Sequence, residues 1–351
     1  MLLKKLELHN FRNFKSNSFL FNPLLTLIIG ENSKGKTSIL EAIYFLTFGN
    51  GFRESKEVEL INLDNLKEAW VGGEYVAGDS KHKFKVVLRS TGLSVKKIFL
   101  IESTTKKHFQ YLQDQAKAVL FTPQQIDIIS GSPHKRRSYI DDVISSIDFE
   151  YKKRLNNYEN ALKKRNKILE RATFLQNIDD EIAFWNDFLI EQADYITVKR
   201  KEYVKFLNEN NKINSFTFKI NYLQNEFSKE RLNKYKDLER RIKRTIIGPQ
   251  KEDYEIFIEN IDNNEKNVQK FGSRSQQRLS ILWLKLNEIL LFEKNFKVKP
   301  ILLFDDVFSE LDTKNKKLVI NLLKKYQAVV TTTEIEVLHL AEIPKSIIKL
   351  A

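Results

Sequence analysis

Residues 30–37 combine types and spacing that suit a polyphosphate: they read Gly-Glu-Asn-Ser-Lys-Gly-Lys-Thr and fit the pattern G-x-x-x-x-G-K-[ST]. The glycines let the backbone curl so that successive N–H groups converge on phosphates, and a helix starting here adds the positive end of its dipole. We expect Lys36 to reach the β- and γ-phosphates and the Thr37 hydroxyl to ligate Mg²⁺. The residues predicted to hold the phosphates are Gly30, Glu31, Asn32, Ser33, Lys34, Gly35, Lys36, Thr37 and Ser38.

A second candidate follows the apolar run at residues 301–304, where Asp305 and Asp306 stand side by side. A central parallel strand delivers the residues that follow it to the C-terminal edge of its sheet, where ligands bind. One carboxylate can hold Mg²⁺, usually through water, and the next can polarise an attacking water. We therefore expect Asp305 to act with Thr37 at the metal and Asp306 to act with Lys36 in catalysis.

A third candidate is the polar loop at residues 271–278, which reads Phe-Gly-Ser-Arg-Ser-Gln-Gln-Arg and opens a helical pattern. A serine and free N–H groups at a helix start would suit a phosphate. The alternative is an ordinary helix N-cap supplied by Ser273 or Ser275.

Composition excludes several classes of protein. Only 11 glycines and 6 prolines occur in 351 residues, which argues against collagen-like, linker-rich and disordered chains. The absence of cysteine rules out disulfides, thiol nucleophiles and cysteine-ligated metals. The net charge of +13 (59 Lys and Arg against 46 Asp and Glu) favours a polyanionic partner, nucleic acid before membrane. No signal peptide and no run of about 18 apolar residues is evident, so we expect an intracellular protein.

The elements that must position these residues read as an α/β domain interrupted by helices. Strands are predicted at residues 2–8, 18–21, 24–29, 70–76, 83–88, 95–101 and 116–121, and a helix at 36–48. A strand at 301–304, a helix at 313–325 and a strand at 328–331 complete the α/β pattern. A strand at 216–222, a helix at 231–246, and a hairpin of 254–258 with 267–271 around a turn at 262–264 lie between. The predicted division is 1–123, 124–245 and 246–351.

The middle segment has helical spacing. One apolar stripe runs through Leu155, Tyr158, Leu162 and Leu169, and another through Ile182, Trp185, Leu189, Ile196 and Tyr203. With a turn at residues 176–180, the two stripes predict either an antiparallel helical hairpin or ordinary core helices. Basic residues line the predicted outer faces and are expected to be solvated: Lys152, Lys153, Arg154, Lys163, Lys164, Arg165, Lys167 and Arg171.

Taken together, the P-loop, the Ser-x-x-Gln signature and the acidic strand resemble an ABC-type ATPase head. More narrowly, the chain resembles the RecF family of bacterial DNA repair proteins over nearly its whole length. The strings that carry this second resemblance are residues 8–14, 30–42, 121–127, 131–133 with Arg136 and Arg137, 165–169, 248–249, 272–278 and 304–312.

The resemblance implies an ABC-type P-loop ATPase head, with mixed sheets and flanking helices, interrupted by a mostly helical lobe. It further implies two heads joined by ATP, with the phosphates of one subunit capped by Ser273, and Gln276 beside it, of the other. Residues 309–312 would cross between the two sites. Such a dimer would clamp gapped or junction DNA, hydrolyse ATP weakly, and help RecR and RecO to load the recombinase RecA. A cytoplasmic, nucleoid-associated location follows.

The sequence departs from the family pattern at three places. Ser275 replaces a usual glycine, Gln250 and Lys251 replace a usual His and Arg, and the strand at 328–331 leads into threonines without a γ-phosphate-sensing His. The last departure suits a slow switch better than a motor. Gln124 or Gln125 is a candidate metal-sensing glutamine, the alternative being a surface helix start. Arg12 is a candidate contact to phosphate or base, the alternative being a structural ion pair.

Three other functions are compatible with an ABC-type head. A transporter nucleotide-binding subunit would need a coupling surface for a membrane partner, which the basic helical segment does not suggest. An ATP-dependent nuclease would need an added metal-binding acidic domain, for which the sequence leaves little room. Another SMC-like ATPase also remains open.

Overall fold

The computed structural model describes residues 1–31, 33–53, 56–64, 67–92, 94–171, 179–259, 265–308, 312–332 and 343–350. Asn32, Thr333 and the segments 176–178, 262–264 and 309–311, for which predictions were made, lie outside the described residues. The chain forms two compact units, residues 1–124 with 288–351, and residues 125–287. These differ from the predicted ranges in that residues 246–287 group with the middle segment. As a division into functional lobes, the three ranges stay a prediction.

Unit 1 contains a six-stranded antiparallel sheet and a five-stranded parallel sheet. The antiparallel sheet has the order β2-β1-β4-β5-β6-β7, with β1 Leu2–Phe11, β2 Phe14–Leu20, β4 Glu68–Ala77, β5 Ser80–Ser90, β6 Val95–Ile101 and β7 Thr104–Lys106. The parallel sheet has the order β15-β3-β14-β13-β8, with β3 Leu25–Gly30, β8 Ala118–Phe121, β13 Ile301–Asp305, β14 Ala328–Thr332 and β15 Lys345–Leu350.

Helix α1 (Lys36–Phe48) packs against strands of both sheets, and its apolar residues are buried around its whole circumference. A helix that is apolar all round is typical of a core element. The shared core includes Leu6 and Val71 from the antiparallel sheet and Ile301 and Val329 from the parallel one. Unit 1 also contains α2 (His108–Asp114) and α10 (Thr313–Leu323), and α9 (Arg274–Phe296) enters it at residue 288. Helix α1 therefore joins the two sheets of unit 1 in one core.

Unit 2 is mostly helical, with one four-stranded antiparallel sheet. Its sheet has the order β12-β11-β10-β9, with β9 Lys212–Ile213, β10 Phe216–Leu223, β11 Asp253–Glu259 and β12 Glu265–Asn267. Its helices are α3 Asp127–Ser130, α4 Pro133–Ile147, α5 Phe149–Arg171, α6 Asp179–Glu209, α7 Lys229–Ile242, α8 Val268–Phe271 and the first part of α9. Because β11 pairs along its length with β10, residues 246–287 pack with the middle segment.

Helices α5 and α6 form the antiparallel hairpin. Arg154 contacts Glu191, whereas Arg165 contacts Asn186, so the partner number falls as the residue number rises. Leu169 and Ile182 are buried together where the two helices approach residues 172–178. In the described part of the chain, none of the helices has the length and apolar content needed to cross a membrane.

Two details of unit 2 correct the sequence analysis. Arg165 is not on a solvated face: it is 3% exposed, and its guanidinium donates to Glu239, Asn186 and Thr245. Residues 268–271 form α8 rather than a hairpin strand, because the Asn267 side chain accepts hydrogen bonds from the next backbone N–H groups and caps a helix there.

Candidate nucleotide-binding site

The predicted phosphate loop joins β3 to α1, as its sequence context required. Gly35 has φ +98°, and a Cβ there would lie 2.5 Å from Nδ2 of Asn13. Only glycine fits a backbone that is both left-handed and packed against a neighbouring side chain. A Cβ on Gly30 would meet the carbonyl oxygen of Leu350 at 2.9 Å. Both glycines therefore serve close packing as well as curling of the loop.

Lys36 turns back onto its own loop. Its Nζ donates to the carbonyl oxygens of Gly30 (2.6 Å) and Glu31 (3.1 Å). Two carbonyls satisfy an ammonium only in part, because it has three donors and keeps its full charge. An anionic phosphate oxygen is the stronger acceptor for such a donor. The Lys36 ammonium is thus held at the loop, where it can replace its hydrogen bonds to the two carbonyl oxygens by hydrogen bonds to a phosphate.

Asp305 ends β13 directly beside the start of α1. Its Oδ1 accepts hydrogen bonds from Thr37 Oγ1 (2.9 Å) and Thr331 Oγ1 (2.8 Å), and the residue is only 8% exposed. Burial raises the pKa of Asp305, and the hydrogen bonds from the two threonines offset only part of that effect. A buried carboxylate that accepts only hydroxyl protons lacks a full counter-charge, which a cation would supply.

The donor set fits Mg²⁺. Thr37 and Asp305 offer hard oxygen atoms, which Mg²⁺ prefers, and Mg²⁺ commonly binds through one or two protein oxygens together with substrate phosphates and water. Among the described residues no group of three or more His, Asp and Glu forms a protein-only metal cage.

Asp306 has the left-handed φ of 51°, unusual for a residue other than glycine. Its backbone N–H donates to the backbone oxygen of Thr331 (3.2 Å) and lies 3.1 Å from its Oγ1. The Asp306 side chain is exposed, whereas that of Asp305 is buried. The turn thus gives the two neighbouring carboxylates different surroundings: that of Asp305 is buried and that of Asp306 is exposed.

A cavity of about 1050 Å³ brings the predicted residues of unit 1 together. The segments that line it include the phosphate loop, the acidic strand end, the turn between β1 and β2, residues 59–64, and Pro123 and Gln124 after β8. Its walls include Arg12, Ser33, Gly35, Lys36, Thr37, Ser38, Gln124, Asp305 and Asp306. Gln124 reaches the cavity from a short 3₁₀ helix, Pro123–Ile126. Glu31 and Lys34 are exposed on the same loop.

Arg12 lines the cavity but is already paired. Its Nε and Nη2 donate to the two oxygens of Glu41 at 2.7 and 2.8 Å, and its Nη1 donates to the backbone oxygen of Glu59. Although burial alone would raise the pKa of Glu41, the hydrogen bonds from Arg12 and Arg53 outweigh it and hold that pKa below its usual range. The structural ion pair predicted as one alternative is present, and contact with phosphate stays a prediction.

Arg53 is a site residue that the sequence analysis missed. It lines the cavity, donates to Glu41 through Nη2 at 2.6 Å, and lies 3.3 Å from Ser38 Oγ. The sequence feature that could have indicated it is Glu41, a carboxylate within the apolar pattern of α1. A buried charge requires a partner of opposite charge, so Glu41 predicts a nearby cation. Nothing in the local sequence distinguished which arginine would supply it.

Ser273 and Gln276 belong to unit 2, at the start of α9. The Ser273 N–H donates to Gln276 Oε1 (2.9 Å), and the Gln276 N–H donates to Ser273 Oγ (3.3 Å). This reciprocal pair is a capping box, so Ser273 rather than Ser275 caps the helix. Ser273 is exposed. Contact of either residue with the nucleotide of a second copy stays a prediction.

Comparison with known proteins places the chain among related sequences. The family model described as RecF/RecN/SMC N terminal domain matches residues 2–350. DNA replication and repair protein RecF of Clostridioides difficile (strain 630) is 32% identical, with 95% of this chain and 92% of the relative covered. The RecF of Lactococcus lactis subsp. cremoris (strain MG1363) is 35% identical, with 99% and 96% covered.

The chain is also similar in fold to solved structures. The recombination mediator protein RecF with ATP, from the RecFOR pathway, is 30% identical, with a TM-score of 0.84 over 95% of this chain and 92% of that one. An SMC head domain from Pyrococcus furiosus is 18% identical, with a TM-score of 0.53 over 97% and 92%, and supports the head fold alone. The predicted α/β ATPase-head fold and the predicted family resemblance are confirmed. The chain belongs to the RecF family of DNA replication and repair proteins.

Proposed function

We propose that this chain is an ATP-dependent DNA-binding protein of recombinational repair and replication restart. The observation that supports this proposal most directly is the cavity in unit 1. It is lined by Lys36, Thr37, Asp305 and Asp306 at the C-terminal edge of a parallel sheet. Ligands of open α/β sheets bind at that edge. Membership of the RecF family, with a relative solved with ATP, supports ATP as the nucleotide.

In this proposal Lys36 leaves the carbonyl oxygens of Gly30 and Glu31 and binds the β- and γ-phosphates. The Thr37 hydroxyl and the Asp305 carboxylate, which are hydrogen-bonded to each other, would hold the metal ion. When bound, Mg²⁺ neutralises phosphate charge and supports the in-line displacement. Gln124, which lines the same cavity, would also contact the metal ion. The roles of Gly30, Glu31, Asn32, Ser33, Lys34, Gly35 and Ser38 are to present loop N–H groups and polar atoms to the phosphates.

We propose that the Asp306 carboxylate polarises the attacking water by accepting a hydrogen bond from it. Its exposed side chain and cavity position suit this role, and its left-handed backbone keeps the carboxylate apart from Asp305. Strand β14 ends in Thr331 and Thr332, with no His at this end to sense the γ-phosphate. Slow hydrolysis follows, which suits a switch.

The proposed active form is an ATP-dependent homodimer. Ser273 and Gln276 would meet the nucleotide held by the other subunit, where the Ser273 hydroxyl, an acceptor in the capping box, would donate its own proton to a phosphate oxygen. Ser275, which is exposed, adds a side chain at this surface and is expected to weaken the dimer. Asp312 caps α10 through the Asn315 N–H.

DNA is the proposed polyanionic partner, since the net charge is +13. The dimer would clamp gapped or junction DNA and assist RecR and RecO in loading RecA, in the cytoplasm at the nucleoid. If roughly six to ten phosphates are contacted, raising salt from about 50 to 200 mM should weaken binding by about 10³–10⁵-fold. A flat salt response would argue against a clamp.

Sedimentation of the purified full chain, with and without ATP and gapped DNA, tests the proposal. Wild type should sediment as a dimer with ATP, whereas Lys36→Ala should not, because the phosphate charge loses its partner. Asp306→Asn should bind ATP normally and prolong the dimer, because only hydrolysis is slowed.

The matched control is Lys81→Ala, which removes an exposed lysine from the antiparallel sheet. It should dimerise as wild type does. Dimers of Lys36→Ala equal to those of wild type would contradict the assignment of the phosphate loop. Wild-type hydrolysis by Asp306→Asn would remove Asp306 from its role.

A further inference from the structure

A second cavity of unit 1 lies at the N-terminal edge of the parallel sheet, opposite the strand ends that form the nucleotide site. It has a volume of about 490 Å³, and its lining includes Ile301, the first residue of β13, together with Leu24 and Gln327, which directly precede β3 and β14. We call it the lysine-rimmed groove and define it by apolar Leu24, Val298 and Ile301 and by Lys297, Lys299 and Lys325. Strands of five or six residues separate the two cavities by about 17–20 Å.

The floor of the groove is fixed by a buried glutamine. The Gln327 side chain accepts a hydrogen bond from the N–H of Leu3 (2.8 Å) and donates to the oxygens of Leu3 (2.7 Å) and Asn22 (2.9 Å). One side chain thus joins β1, the segment before β3 and the start of β14. Because these bonds are already made, a ligand would meet a pre-formed floor and lose little entropy in ordering it.

The rim of the groove is positively charged. Within the described part of the chain, no carboxylate lies within 4 Å of the ammonium group of Lys297 or Lys325, and none lines the groove. Lys299 Nζ donates to the backbone oxygen of Lys325 (3.1 Å) and lies 5.6 Å from the Tyr326 ring centre. Lys297, Lys299 and Lys325 are exposed. Positive charge around an apolar floor is complementary to acidic groups that alternate with apolar ones.

This combination favours a peptide over nucleic acid. The phosphates of DNA would pair with the lysines. The half-buried side chains of Leu24 and Val298 would then face the charged DNA backbone. Apolar side chains would cover that floor and gain about 25 cal/mol per Å² of surface removed from water. Acidic neighbours in the same peptide would reach the rim.

We propose that the lysine-rimmed groove is a docking site for an acidic, apolar segment of a protein partner. The site is independent of the nucleotide cavity, since the two share no lining residue. Peptide binding should therefore occur without ATP, and its failure would leave the proposed ATP function untouched.

Fluorescence anisotropy with the full chain and a fluorescein-labelled peptide, DLEDFELDI, tests the proposal. Comparison peptides replace either the acids (KLKKFKLKI) or the apolar residues (DSEDSESDS). Wild type should bind only DLEDFELDI. The double variant Lys297→Glu/Lys325→Glu should weaken binding at least about tenfold, because each reversal removes an attraction and adds a repulsion. Val298→Asp should weaken it further by charging the floor.

A matched control, Lys81→Glu/Lys96→Glu, makes the same charge change at exposed positions of the antiparallel sheet and should bind as wild type does. Both double variants should keep the wild-type melting temperature and ATP affinity. The proposal is overturned if DLEDFELDI does not bind, if DSEDSESDS binds as tightly, or if the control weakens binding equally. It is also overturned if Lys297→Glu/Lys325→Glu lowers affinity for a 20-base-pair duplex but not for the peptide.

Discussion

Glu41 allows a sharp test of what stabilises the nucleotide-binding unit. Its carboxylate is 0% exposed and accepts hydrogen bonds from the side chains of Arg12 and Arg53 and from the Arg53 N–H. Glu41→Gln keeps the shape but removes the charge, and its amide N–H₂ would face a guanidinium. Because breaking a buried ion pair costs about 3–5 kcal/mol, unit 1 should be destabilised by that amount.

The matched control is Glu68→Gln. Its ion pair with Arg89 has the same 2.6 Å separation as the pair of Glu41 with Arg53, but Glu68 is 44% exposed and Arg89 59%. An exposed pair contributes at most about 1 kcal/mol. Equal losses in the two variants would refute the argument that burial sets the magnitude.

Urea-dependent hydrogen exchange, read on the amides of α1, measures the free energy of unfolding of unit 1 itself. With a slope of about 2 kcal/mol per molar urea, Glu41→Gln should lower the midpoint by about 1.5–2.5 M. Since the folded-state pKa of Glu41 lies below its ordinary value of 4.5, the pair contributes fully above that value. The contribution is lost as the pH falls through the folded-state pKa, so the difference between wild type and Glu41→Gln should shrink there.

Asp305→Asn should abolish the Mg²⁺ dependence of ATP affinity in a titration without destabilising the fold, because burial already raises the pKa of Asp305 and disfavours its charge; a melting temperature well below that of wild type would contradict this. Gly35→Ala should weaken ATP binding, because φ +98° strains a residue that has a Cβ and because the side chains of Asn13 and Phe14, at 2.5 and 2.8 Å from that Cβ, would have to move; unaltered affinity would show that the loop is freer than described. Burial lowers the pKa of Lys117 to about 8, so the folded state holds fewer protons than the unfolded state between about pH 8 and 10.5. The free energy of unfolding should therefore rise across that range, and Lys117→Met, measured by urea titration, should remove the rise.

The phosphate loop and the acidic strand were predictable because their chemistry is local. In both cases an apolar strand is followed within a few residues by the functional groups: Gly30 and Gly35 after one strand, and Asp305 at the end of the other. The local sequence therefore predicts both the backbone path and the chemistry. The structure accordingly places the P-loop between β3 and α1 and ends β13 at Asp305. The capping alternative at Ser273 was also readable, because the partner, Gln276, is three residues away.

The features that the sequence analysis did not predict depend on residues that are distant from each other in the chain. Glu41 is paired with arginines 29 and 12 residues away, and Arg165 with Glu239, 74 residues away, so no local pattern identifies them. Strand β15 was not predicted, since only its parallel pairing with β3 gives the segment 345–350 its role. For α8, the cap supplied by Asn267 outweighed the alternation that had suggested a strand.

The order of strands in the parallel sheet has a consequence for biosynthesis. Strands β13 and β14 stand between β3 and β8, yet they are translated about 180 residues after β8. At 5–20 residues per second, ribosomes need about 9–36 s to cover that interval. Throughout it the nascent chain carries two apolar strands whose hydrogen-bonding edges lack their partners, which is a hazard for aggregation. The growing polypeptide should therefore need a chaperone on these strands, and it should acquire its nucleotide pocket only after residue 332 has emerged.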